Sequence, residues 1–184
     1  MKKFLTIIIT MFLVLGLTIG NVFAADEAQW EEKTPMSEAR QTLSSCAIGD
    51  KIYVLGGIYN SNGTTIYSDT VEIYDTKTDS WAFGEPMPEK MCDFTASAVD
   101  GKIYTFGGSN YGKIVNSVYV YDIKNNTWTT AEPMLTARHD LASVVIDKEI
   151  YVMGGSTTTS SENVVEIYNT ETNSWRTGNS LNYP

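Results

Sequence analysis

The 184-residue chain carries 13 basic and 22 acidic residues, a formal net charge of −9, and its hydrophobic content is 42%. So acidic a balance repels polyanions, which excludes nucleic acid and anionic lipid as partners.

Lys2 and Lys3 precede an apolar run over residues 4–19, and Val22-Phe23-Ala24 places small residues where a signal peptidase reads. The pattern predicts a secretory signal peptide over residues 1–24. An uncleaved anchor is the alternative, because the run approaches the ~20 residues that span a bilayer. With the leader removed, 11 basic residues stand against 22 acidic ones, a net charge of −11 on a secreted or extracytoplasmic chain. No membrane contact beyond this segment is expected.

Residues 25–39 contain Trp30 and Pro35-Met36, and from there the chain repeats. Trp30, Trp81, Trp128 and Trp175 are separated by 51, 47 and 47 residues. Each interval holds a Pro-Met pair, a strand ending in a double glycine (KIYVLGG at 51–57, KIYTFGG at 102–108, EIYVMGG at 149–155) and a second strand (VEIYD at 71–75, VYVYD at 118–122, VEIYN at 165–169). Val, Ile and Tyr fill these runs while Gly, Asn, Asp, Ser and Thr cluster between them, as strands joined by turns require. A period near fifty with several short strands per unit is the mark of a propeller blade. Units fall at about 40–85, 91–132 and 138–179 within a repeat region 40–184. In the third, strands are expected near 141–146, 150–153, 164–168 and 174–177. The first strand of each unit is rich in small residues, Ser44 to Ala47, Thr95 to Ala98, Ala142 and Ser143, and should lie innermost.

The double glycines suit a sharp exit from a buried strand. None continues into a phosphate-binding pattern. Cys46 and Cys92 sit five repeat positions apart on adjacent strands, ~16 Å at ~3.3 Å per residue, beyond the ~7 Å limit for a disulfide. Two free thiols are expected. Asp75 and Asp79 lack the Gly and closing Glu of a calcium loop. No metal, cofactor or catalytic residue is assigned. The sequons at Asn62 and Asn125 permit glycosylation in a suitable host.

The order of Arg, double glycine, Tyr-Asp and Trp resembles the kelch motif over residues 30–184. Met91 stands where Arg40 and Arg138 stand, and Asn169 replaces the Asp of Asp75 and Asp122. The resemblance implies an all-β kelch-type β-propeller. Three four-stranded antiparallel blades cannot close a ring that takes ~4 to 8, so an incomplete open arc is expected. Residues around Trp30 align with a fourth strand whose partners are missing, a possible ring-closing strand. Residues 180–184 align with 133–137, one position short of the next Arg, as in the front half of a longer propeller. Further blades or a second copy would close the ring.

Kelch proteins commonly meet ligands on the rim beyond the double glycines. Carried over by position, that rim comprises Arg40, Arg138, Tyr59, Asn60, Asn110 and Tyr111, with Arg suited to carboxylates and Tyr to sugars or peptide side chains. The competing reading makes both arginines structural, bonding carbonyls between blades. The resemblance thus implies an exported binding module for protein or glycan. The alternative is a sugar-transforming enzyme resembling sialic acid mutarotases, with His139 and Asp140 as acid/base beside Arg138. A copper oxidase resembling galactose oxidase needs two histidines, and the chain has one.

Overall fold

The computed structural model describes residues 30–183; the leader assigned to residues 1–24 lies outside them. Among the described residues there is no helix, hence none long and apolar enough to cross a membrane. Residues 30–40 form no strand. The first blade is built from β1 (Ser44–Ile48), β2 (Lys51–Leu55), a hairpin of β3 (Ile58–Ser61) and β4 (Thr64–Tyr67), then β5 (Val71–Asp75) and β6 (Ser80–Phe83). The second has β7 (Thr95–Val99), β8 (Lys102–Phe106), a smaller hairpin of β9 (Ser109–Asn110) and β10 (Lys113–Ile114), then β11 (Val118–Asp122) and β12 (Thr127–Thr130). The third has β13 (Ala142–Ile146), β14 (Glu149–Met153), β15 (Val165–Asn169) and β16 (Ser174–Thr177).

Each blade is a four-stranded antiparallel sheet in the order β1-β2-β5-β6, β7-β8-β11-β12 or β13-β14-β15-β16. The three sheets form an open arc. First strands are innermost: β1 packs on β7 and β7 on β13. Their small side chains allow this approach, and Ser143 Oγ bonds both Thr95 Oγ1 (2.8 Å) and Ser97 Oγ (2.7 Å) across blades. The hairpins after the first two double glycines were not counted from the sequence. Their strands are short, and β9 and β10 have two residues each.

Two cores lie between blades. Tyr53, Leu55 and Val71 of the first meet Met91, Phe94, Ile103 and Tyr121 of the second. Tyr104, Phe106 and Val118 of the second meet Met134 on the connecting segment and Leu141, Ile150 and Tyr168 of the third. The corresponding residues of the third blade, Tyr151, Met153, Val165 and Ile167, instead border an open cavity of about 500 Å3.

Polar bonds recur at each blade's outer turn. Asp79, Asn126 and Asn173 adopt φ of 50°, 54° and 51°, left-handed backbone that Asn and Asp tolerate best among non-glycine residues. Each side-chain Oδ1 accepts the hydroxyl of Tyr74, Tyr121 or Tyr168. The same oxygen also accepts the backbone N–H of Thr34 (2.9 Å), Glu85 (2.8 Å) or Glu132 (2.9 Å) on the segment leading in from the preceding unit. Trp81, Trp128 and Trp175 complete the clasp by donating Nε1–H to the carbonyl of that same residue at 2.8, 2.9 and 2.9 Å. The repeating tryptophans are therefore fasteners between consecutive units. Asn126→Ala should cost about 2 kcal/mol, from two lost hydrogen bonds and left-handed strain. Asn126→Gly, which keeps the conformation, should cost about half of that. Urea midpoints check this, and equal losses for both variants would discard the strain contribution.

Cys46 and Cys92 are both free. Burial pushes each thiol up to about 12, with Asp93 adding to the effect on Cys92, so neither is an available nucleophile at neutral pH.

Candidate functional site

The end of β2 pairs with the start of β1, and the same holds for β8 with β7 and β14 with β13, so the double-glycine exits and the strand entries share one end of the arc. Antiparallel bridges lock them together at Gln41 and Ile58, Cys92 and Ser109, and His139 and Ser156. Every rim residue named from the sequence falls on this end.

The arginines point inward. Arg40 donates from Nη1 to the carbonyl of Gly56 (2.9 Å) and from Nη2 to Glu72 Oε1 (2.6 Å), and both side chains of this pair are 1% exposed. Arg138 repeats the arrangement with Gly154 O (2.5 Å) and, more loosely, Glu166 Oε2 (3.5 Å), at 0% and 1% exposure. Glu72 Oε2, the oxygen that Arg40 does not use, accepts N–H from Ser37 (2.9 Å), whereas Leu135 N–H (3.1 Å) goes to the same Glu166 Oε2 that faces Arg138. Each guanidinium is thus committed to the carbonyl and carboxylate of its own blade. In the second blade Met91 takes the Arg position, and Tyr119 takes the Glu position of Glu72 and Glu166. Both are buried. The second blade thus carries two uncharged side chains where the other two carry the ion pair, and of these only Met91 stands out in the sequence.

What remains open on the rim is aromatic and amide. Tyr59, Asn60, Arg40 and Gln41 contribute to a cavity of about 430 Å3 beside the first hairpin. Asn60 Oδ1 accepts Gly63 N–H (2.9 Å), which shapes the turn. Tyr111 is 66% exposed at the tip of the second hairpin, and its ring lies 4.5 Å from that of Tyr67 in the first. Asn110 Nδ2 donates to Glu89 Oε2 at 3.2 Å. The structure therefore joins Tyr59 and Asn60 in one cavity and links the two hairpins through Tyr67, which the sequence reading did not single out.

His139 and Asp140 sit at the entry to the third blade, with His139 Nδ1 2.9 Å from Asp140 Oδ2. Arg138 faces away into its ion pair, so these three do not converge. Asp93 does join them. It occupies the Asp140 position of the preceding unit, and Asp93, His139 and Asp140 each bring a ligand atom within 4.8 Å of the others. The sequence reading found no metal-ligand cluster. This set spans two blades and is contiguous only after folding.

The KLHDC2/KLHL20/DRC7 Kelch-repeats domain matches residues 42–183. The human Kelch repeat and BTB domain-containing protein 12 is 36% identical over 89 residues, covering 44% of this chain and 14% of that protein. The mouse Influenza virus NS1A-binding protein homolog is 32% identical over 96 residues, 52% of this chain and 14% of its own length. The chain thus spans about one seventh of the length of these curated relatives. The solved structure of YjhT superposes with a TM-score of 0.77 at 20% identity, over 88% of this chain and 58% of that one, a likeness of fold.

Proposed function

The chain belongs to the kelch-repeat family, and from that premise we propose that it is an exported binding module whose double-glycine rim recognises a protein or glycan. The observation that carries this reading is the pair of rim hairpins, with Tyr111 exposed against Tyr67 and the Tyr59-Asn60 cavity alongside. An exposed aromatic face held by a second ring offers a flat, rigid platform at low entropic cost, which suits a sugar face or a peptide side chain. Amide groups beside it supply directional hydrogen bonds. Further units or a second copy would complete the ring and extend this rim.

The His139–Asp140 contact favours a second reading, a sugar-transforming enzyme in which an imidazole backed by a carboxylate moves a proton. The buried Arg138 weighs against it, since the substrate carboxylate would lack its partner. Binding to arrayed glycans and a peptide library tests the first reading. Tyr111→Ala should reduce affinity for a captured ligand about tenfold without shifting the melting temperature. Binding indifferent to Tyr111→Ala and Tyr59→Ala would reject the hairpin rim. Anomer exchange of a sialic acid, followed by proton NMR, should not be accelerated; acceleration abolished by His139→Ala would establish the enzyme instead.

A further inference from the structure

We propose that Asp93, His139 and Asp140 form a site for one divalent transition-metal ion of the zinc class, on the rim between the second and third blades. Three ligand atoms, one imidazole nitrogen and two carboxylate oxygens, lie within 4.8 Å of one another. Tetrahedral coordination with bonds of about 2.1 Å needs separations of roughly 3.4 Å, so small rotamer adjustments close the set.

The backbone brings these residues together. Asp93 N–H donates to Thr42 O (3.0 Å) and Asp140 N–H to Asp93 O (2.8 Å), a ladder that runs from blade to blade along the strand entries. It sets the two aspartates side by side. Their φ angles of 56° and 55° hold both in the same left-handed conformation. Two adjacent carboxylates repel unless a cation lies between them, and the buried Arg138 faces elsewhere. His139 supplies the third ligand and a preference for a borderline ion over magnesium or calcium, which take oxygen alone.

Cys92 Sγ lies 2.9 Å from Asp93 Oδ2, so the thiol donates to that carboxylate and restricts its rotamer. His139 Nδ1 and Asp140 Oδ2, on two of the proposed ligands, are already 2.9 Å apart. Three protein ligands on a partly exposed rim leave a coordination position open, as in sites where a metal holds water or an incoming ligand. The assignment stands apart from the aromatic hairpin reading, because it uses none of those residues. The first unit carries Gln41 and Thr42 at the His139 and Asp140 positions, so one such site is expected in the arc.

Isothermal titration of the full chain, stripped with chelator and free of any tag, should show one equivalent of zinc bound, and calcium bound at least tenfold more weakly. His139→Ala should weaken zinc at least tenfold. Asp140→Asn should do the same while keeping a side chain tolerant of its left-handed backbone. Circular dichroism should be unchanged in both variants. Absence of stoichiometric zinc binding overturns the proposal, as does zinc binding that survives His139→Ala and Asp140→Asn in folded protein. Loss of glycan or peptide binding in Tyr111→Ala with zinc binding intact would leave this site standing while bearing on the hairpins alone.

Discussion

Arg40→Met is expected to destabilise the chain by about 3–5 kcal/mol, because it leaves Glu72 as an uncompensated charge at 1% exposure. The carbonyl of Gly56 loses its guanidinium donor as well. Adding Glu72→Tyr should restore most of the loss. The second blade already carries that solution, with Met91 and Tyr119 buried at these positions. A buried ion pair replaced whole by apolar side chains is often neutral or better, whereas a pair broken by removal of one partner is not. Urea midpoints for the two single variants and the double variant form a cycle that isolates the coupling. A double variant no more stable than Arg40→Met would show that the blades are not interchangeable in this layer.

Gly56→Ala should cost about 3 kcal/mol or more. Its φ is 58°, and a Cβ there would lie 2.6 Å from the carbonyl oxygen of Met91 and 2.8 Å from the ring of Phe94, both on the next blade. Left-handed strain accounts for about 1–2 kcal/mol and the overlap for the remainder. Gly154 is the matching control. Its φ is 66°, yet its nearest neighbours to an added Cβ are 3.8 Å and 3.9 Å away, since among the described residues no further blade packs there. Gly154→Ala should therefore cost only the strain. The difference between the two, read from denaturant midpoints, measures how closely one blade approaches the next. Equal costs would contradict the open arc.

The fold was legible because its requirements recur. Gly56, Gly107 and Gly154 each take positive φ at the end of a second strand, and Trp81, Trp128 and Trp175 each bond back to the preceding segment, so three copies speak for one rule. The site was less legible because its relations run between units. Arg40 could be read as reaching a ligand or a carbonyl, and only the register of β5 beside β2 reveals Glu72 as its partner. Asp93 and His139 are 46 positions apart in number but adjacent along the ladder of strand entries. Tyr67 likewise gains meaning only when Tyr111 arrives from the next hairpin. A repeat alignment compares residues at equal positions and hides contacts between unequal ones.

The clasp at each outer turn is directional. Its side chains, an Asp or Asn and a Trp, belong to one unit, while the unit before offers only the main chain of Thr34, Glu85 or Glu132. A unit thus brings its own hydrogen-bonding latch and demands no particular side chain from its predecessor at that point. Tandem gene duplication would supply a working latch in the first generation, before any compensating mutation. Insertion of an extra unit, or transplantation of one from another chain, should be limited by how well the apolar faces fit and not by this latch.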